Sequence, residues 1–365
     1  MALTPDTSNS AATMESNRFI QEPIAVVGMA CRLPGHSDSP HKLWEFLMRN
    51  GVARTEVPES RFNLKGFYDG TDRPRTMRSP GAMFMETVNP AEFDASFFNI
   101  SPQEATAMDP QQRILLEVIY EGLESAGISL ESIAGENYGC YVGAHTGDYW
   151  DVFSRDPDSR PPNAGIGGSA TMLSNRVSHF LDIKGPRQVK SLHVFTGCSG
   201  LGVQVPTYRR DQWSDCGSVY PDYGCDAGAI KYTHSPTGQC HTFDAKADGY
   251  IKAEGINVVI LKRLDDAIQD RDPIRAVIRG SANNHNGHTA GIASPSSEVQ
   301  AAAVRQAYSN ANITDYSLTA YLECHGTGTM AGDPVEAKGI ASVFAASRAV
   351  HRPLHIGSVR KTSRR

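Results

Sequence analysis

Two short stretches of the chain bring together residue types that could do chemistry. In VFTGCSG (194–200) a lone thiol, Cys198, stands among Thr196, Gly197, Ser199 and Gly200. Small residues around a cysteine suit a tight turn that presents a nucleophile, and the N–H groups of such a turn can receive a developing oxyanion. The thiol also needs a lowered pKa, from a helix N-terminus or a nearby histidine. Read alone, the same pattern also fits a small cysteine with no task. In ECHGTGTMAGDP (323–334) His325 ends a run read as a buried strand and opens a Gly-Thr-Gly-Thr loop. The carboxyl ends of strands are where α/β sheets bind ligands. Glycines allow close backbone approach there, and threonines supply hydroxyls that orient a polar chain. A strand-end histidine can equally be structural. Cys216, Cys225, His234, Cys240 and His241 are potential metal ligands but lack any CxxC or HxxxH pair, so their spacing does not indicate zinc. GIGGSA (165–170) does not follow a strand, and the dinucleotide fingerprint is absent.

The elements that must position these groups are legible as hydrophobic runs. Residues 24–27 read as a buried strand ending in a glycine turn at Gly28, and 36–104, rich in Pro, Gly, Asp and Phe, as excursions decorating a core. The stretch 109–127 reads as a helix capped by Asp109, with Pro110 in its first turn and Gly127 at its end. Its apolar face is Ile114, Leu115, Val118, Ile119 and Leu123. Further strands are expected at 138–145, 255–264, 274–283 and 353–359, a strand entering a glycine-threonine loop at 318–329, and helices at 169–186, 297–313 and 333–347. Strands alternating with helices predict an α/β protein with a largely parallel, doubly covered sheet.

Composition narrows the function classes. Thirty-five Lys+Arg against 40 Asp+Glu leave a formal net charge of −5 spread along 365 residues. Neither nucleic acid nor an anionic membrane is the expected partner. The basic RKTSRR at 360–365 reads as a solvated tail, and residues 1–21, polar and rich in Ser and Thr, as a disordered one. No run of 18 apolar residues occurs, and the seven cysteines are irregularly scattered, so a reducing, cytoplasmic setting with free thiols is expected.

Seven segments together resemble the β-ketoacyl synthase (ketosynthase) domain of fungal, highly reducing type I polyketide synthases. They are EPIAVVGMACRLPG, MDPQQRILLEVIYEGLESAG, YVGAHTGDY, SNRVSHFLDIKGP, SPTGQCHTFDAKADGY, EGINVVILKRLDDA and ECHGTGTMAGDPVEAKGI, spread over about 22–186 and 235–359. The resemblance implies a thiolase-like layered α/β/α/β/α fold over residues 22–365, its second half incomplete. It also implies decarboxylative Claisen condensation. In that family a cysteine at a helix N-terminus accepts the growing acyl chain from an acyl carrier protein. Two histidines hold the thioester carbonyl of a carrier-bound malonyl unit while CO2 leaves, and the enolate attacks the acyl-cysteine. Residue by residue, His325 matches the histidine of the HGTGT motif and Cys198 the nucleophile of the TACSG-type motif. Lys361 falls on the lysine of the GSVKTNIGH stretch. The resemblance implies no cofactor bound by the domain itself, substrates carried on a phosphopantetheine arm, and a homodimer.

Three departures from the family pattern stand out. Cys198 lies twelve residues after Pro186 rather than eight, and 199–234, where the family has an apolar helix, contains Pro206 and Pro221 and no helical stripe. After Val359 the sequence gains Arg360, and the histidine that follows Lys-Thr in the family is missing. Residues 187–234 are therefore set apart as an anomalous segment, and a truncated, catalytically inactive remnant is the alternative to a working ketosynthase. At most such a remnant would dimerise or bind a carrier protein.

Overall fold

The computed structural model describes residues 21–68, 70, 71, 76–144, 149, 150, 153, 158, 160–190, 202–206, 234–291, 294–349 and 351–360. Its centre is a six-stranded sheet in the order β5-β4-β6-β7-β1-β8. The strands are β1 (Ile24–Arg32), β4 (Gly139–Gly143), β5 (Arg187–Lys190), β6 (Gly202–Pro206), β7 (Ile256–Arg263) and β8 (Ala276–Ile278). β4 pairs in parallel with β5 and β6, whereas β6–β7, β7–β1 and β1–β8 are antiparallel. The sheet is thus mixed rather than largely parallel. Sequential alternation of strands and helices does not reveal that β7 and β8, joined by helix α7 (Leu264–Gln269), flank β1 and run against it.

β1 does not stop at Gly28. It runs on to Arg32, with an irregularity in register between Val26 and Gly28. The glycine is demanded by helix α3 (Pro110–Ala126): a Cβ at position 28 would stand 2.4 Å from the Gly122 carbonyl oxygen and 2.8 Å from the Ala126 Cβ. Close approach of backbone to backbone, not a turn, is the reason for the residue.

Helix α3 forms as its sequence dictates. Asp109 caps it through Gln111 N, Pro110 opens it, and Gly127 closes it at φ 70°. All five expected face residues are buried, and so are Gln111, Gln112 and Arg113. Gln112 Nε2 donates to the Gly167 carbonyl at 2.7 Å and its Oε1 accepts from Arg176 Nε, which fixes α3 against helix α6 (Met172–Phe180). Hydrogen bonds sustain the two buried glutamines, Gln111 Nε2 donating to Asp109 Oδ2 at 3.0 Å, whereas the buried Nε of Arg113 has no partner among the described residues. α6 is shorter than expected: the chain leaves it at Leu181, and Asp182 adopts φ 50° well before the Gly-Pro pair. α3 and α6 cover the sheet around one main core that includes Val27, Leu115, Ile119, Val142 and Ile260.

The excursion 36–104 holds only short elements, α1 (Pro40–Met48), the β2–β3 ribbon (Arg54–Glu56 with Gly81–Met83) and α2 (Pro102–Ala107). It is clamped to the sheet by Arg61 and Glu254, whose side chains are 11 % and 5 % exposed and meet at 2.7 Å. Arg61 also donates to the Met85 carbonyl, while Glu254 Oε2 accepts from Met85 N at 2.9 Å.

Beyond β8 the chain builds a smaller unit. α8 (Ser297–Asn310) packs on α9 (Gly332–Phe344) around Ala301, Val343 and Phe344. β9 (Tyr321–Glu323) pairs in parallel with β10 (His355–Gly357). The strand leading to His325 is consequently not buried: Tyr321 and Glu323 are exposed and Leu322 half-buried, because β9 has β10 as its strand partner among the described residues.

Candidate active site

His325 opens a loop between β9 and α9, and two carboxylates from the first turns of α9 hold that loop. Helical side chains lean toward the N-terminus, so residues early in α9 reach back over the segment that precedes it. Glu336 does so with both oxygens, accepting from His325 N at 2.6 Å and Gly326 N at 2.9 Å. Asp333, 4 % exposed, accepts from Gly328 N at 3.1 Å with one oxygen and from Phe243 N at 2.7 Å with the other. The histidine loop is thereby tied to the 241–249 segment, a link reinforced by Thr242 Oγ1 donating to the Gly326 carbonyl at 2.5 Å and Gly249 N donating to the Gly328 carbonyl at 2.9 Å.

The glycines between the threonines are required twice over. Gly326 and Gly328 have φ of 50° and 73°, and a Cβ would stand 2.5 Å from Thr242 Cγ2 at the first and 2.7 Å from His241 N at the second. The threonines serve each other and the helix: Thr327 and Thr329 hydroxyls lie 3.0 Å apart, and Thr329 Oγ1 accepts from Gly332 N. On the strand side Cys324 N donates to the Gly357 carbonyl, Val359 N to Glu323 Oε1 and Ser358 Oγ to the His325 carbonyl. The result is a fixed backbone that presents an exposed imidazole.

Cys324, next to that imidazole, is no nucleophile. Burial, aided by the charge of Glu336, pushes its thiol up to about 11. Burial likewise lifts Cys31 to about 11 and Cys140 to about 12, and raises Cys240, whose sulfur accepts from Ile251 N. These four are free and buried. Cys198 and Lys361 lie outside the described residues, as do Cys216 and Cys225. His325 is thus the one expected site residue that the structure positions. The stretch after Cys198 is partly described, and it differs from the helix that the family resemblance implies: 202–206, ending at Pro206, form the strand β6 between β4 and β7. Among the described residues no three His, Cys, Asp or Glu side chains gather as metal ligands. None of the described helices is long and apolar enough to cross a membrane.

Asp333 and Glu336 had no role assigned from the sequence, although the quoted motif contains both. Their signal was spacing: eight and eleven residues after His325, they fall on successive turns at the start of the helix that follows.

Comparison with known proteins fits this geometry. The β-ketoacyl synthase N-terminal domain matches residues 21–201 and 219–267, and the C-terminal domain matches 275–363. Cys198, His325 and Lys361 all fall inside these matches. The chain is 52% identical to a highly reducing polyketide synthase of Eupenicillium brefeldianum over 98% of its own length and 15% of that protein's. It is 52% identical to the low-reducing polyketide synthase drtA of Aspergillus calidoustus over 93% of this chain and 15% of the relative. The chain therefore spans about 15% of the length of these curated relatives. Among solved structures, an oxazolomycin ketosynthase domain of Streptomyces albus superposes with a TM-score of 0.81 at 29% identity, covering 94% of this chain and 59% of that one. The ketosynthase from module 6 of the bacillaene synthase of Bacillus subtilis 168 gives a TM-score of 0.73 at 29% identity, over 93% and 57%. The fold is thus the thiolase-like α/β fold of ketosynthases, and the chain belongs to the β-ketoacyl synthase family.

Proposed function

We propose that this chain is the ketosynthase domain, residues 22–365, of a polyketide synthase and extends acyl chains by decarboxylative Claisen condensation. The reading assigns the nucleophile to Cys198. Its thiolate attacks the acyl thioester held on the phosphopantetheine arm of an acyl carrier protein, forming acyl-cysteine and releasing the pantetheine thiol. His325 then donates to the thioester carbonyl of a carrier-bound malonyl unit. Loss of CO2 leaves an enolate whose negative oxygen that donor stabilises. The enolate carbon attacks the acyl-cysteine carbonyl, the cysteine thiolate departs, and a β-ketoacyl chain two carbons longer remains on the carrier. Lys361 is assigned to the same site from its place in the family motif. Substrates arrive covalently on the carrier arm, the domain needs no cofactor of its own, and it works as a cytoplasmic homodimer.

The observation that carries the reading is the loop at 325–329. Its backbone is locked by Glu336 and Asp333 so that one exposed imidazole projects from a rigid scaffold. A pre-aimed donor of this kind is worth about 10²–10³ in rate. Release of CO2 from malonyl thioester by the purified chain, compared with His325→Ala, tests it. The variant is expected to lose about two to three orders of magnitude; equal rates would remove His325 from the reaction.

A further inference from the structure

Seven non-glycine residues among those described hold φ in the left-handed region. Five are Asn, Asp or His, which tolerate it, and Arg271 stands just past the end of α7, a usual place for such a residue. Neither reason applies to Phe243, at φ 53°. A left-handed backbone is costly for any residue that carries a Cβ.

The local sequence does not ask for it. Asp244 N donates to the His241 carbonyl at 3.1 Å, so His241 to Asp244 form a turn with Thr242 and Phe243 at its centre. Positive φ at the second central residue alone is the type II arrangement, which favours glycine there. Phenylalanine fits without strain in type I, with φ near about −90°. The two types differ by turning over the central peptide, here Thr242–Phe243, so that its N–H points to opposite sides.

In the type II position that N–H meets Asp333 Oδ2 at 2.7 Å. In type I it would turn away and bring the Thr242 carbonyl oxygen toward the carboxylate in its place. Thr242, 1 % exposed, is tied to the histidine loop beside this bond, its hydroxyl donating to the Gly326 carbonyl at 2.5 Å. The other Asp333 oxygen accepts from Gly328 N at 3.1 Å. One carboxylate therefore holds both the strained peptide and the histidine loop.

We propose that the Thr242–Phe243 peptide is a two-position latch on the histidine loop. Closed, it is the strained type II turn bonded to Asp333. Open, it is the relaxed type I turn, and the 241–249 segment lets go of the loop. Strain at Phe243 works against closure and so sets how often the loop is released. The bearing of the latch on catalysis rests on the role proposed for His325; the latch itself involves no chemistry at that imidazole or at Cys198.

Amide hydrogen exchange on the full chain, corrected for intrinsic rates, compares Phe243→Gly with Phe243→Ala. Both lack the ring, and they differ only in the Cβ that opposes positive φ. The amides of residue 243 and Gly328 should exchange about five- to thirtyfold more slowly in the glycine variant, the ratio that corresponds to about 1–2 kcal/mol for a left-handed residue. At an ordinary backbone position the order reverses, because glycine loosens the chain. With Asp333→Ala added to each variant the glycine advantage should vanish, since the peptide then has no acceptor to hold it over. The latch is refuted if alanine exchanges as slowly as glycine, if Gly328 does not follow residue 243, or if the advantage survives without Asp333. Where loss of the ring unfolds the chain, backbone chemical shifts and the amide–Hα coupling of Phe243 serve instead. They should report positive φ in the unaltered chain and negative φ in Asp333→Ala, and positive φ in both would refute the latch. Because none of these readouts uses substrate, the latch and the His325→Ala comparison can fail separately.

Discussion

Asp333→Ala removes the acceptor on which two backbone donors depend. In the native chain its buried carboxylate takes Gly328 N at 3.1 Å and Phe243 N at 2.7 Å. Alanine leaves both N–H groups without that acceptor. An orphaned buried donor costs about 1–3 kcal/mol, and the half-buried Phe243 N less than the buried Gly328 N, so the variant loses about 2–4 kcal/mol. At tenfold per 1.4 kcal/mol, even the lower figure corresponds to roughly thirtyfold faster local opening. Asp333→Asn keeps one carbonyl oxygen and turns an amide donor toward the other N–H, so it should lose about half as much. Amide hydrogen exchange resolved at Gly328 and Phe243, with Leu116 in α3 as an internal control, reads the effect directly. If Gly328 and Phe243 exchange at native rates in Asp333→Ala while the fold is intact, the loop is held by something else and the reasoning about His325 presentation fails.

Three other perturbations follow from the packing. Gly28→Ala forces a Cβ to within 2.4 Å of the Gly122 carbonyl and should lower the unfolding free energy by about 1–3 kcal/mol, measured by urea titration; an unchanged midpoint would refute the close approach of β1 and α3. Glu254→Gln strands the Arg61 cation at a side-chain exposure of 11 % and should cost about 3–5 kcal/mol, with partial recovery in the double variant Arg61→Met/Glu254→Gln; additive losses would show that the pair is not coupled. Because burial holds the thiols of Cys31, Cys140 and Cys324 at about 11 to 12, the folded chain keeps those protons longer than the unfolded chain, whose cysteines titrate near 9. Nothing is lost below that value, and stability should fall as pH rises from about 9 toward 12. Native-state alkylation near pH 7.5 should accordingly spare Cys31, Cys140, Cys240 and Cys324, and rapid labelling of any of them would contradict their burial.

How far the sequence carried the fold depended on how local each signal was. α3 was readable to the residue because its cap, its opening proline, its αL glycine and its apolar stripe all lie within one segment. β4 and β7 were readable for the same reason. Strand direction was not, since it is settled by how β1 inserts between β7 and β8, a contact spanning more than 200 residues. The reading of Gly28 as a turn fails because what it meets, the Gly122 carbonyl, lies 94 residues further along the chain. At the site, His325 and the glycine-threonine loop were legible from their types. The carboxylates that hold the loop were not, because Asp333 and Glu336 look like an ordinary acidic helix start until the chain turns back on itself. β6 shows the limit of family likeness: where the resemblance implies a helix after the cysteine, residues 202–206 form a strand within the central sheet.

The proposed function routes acyl transfer through Cys198. Incubation of the folded chain with an acyl thioester, followed by intact-mass analysis and peptide mapping, tests it most directly. The expected result is a mass increase of one acyl group, located on Cys198 and abolished by Cys198→Ala. A folded protein that gains no acyl group, or gains it on another residue with Cys198→Ala unaffected, would contradict it.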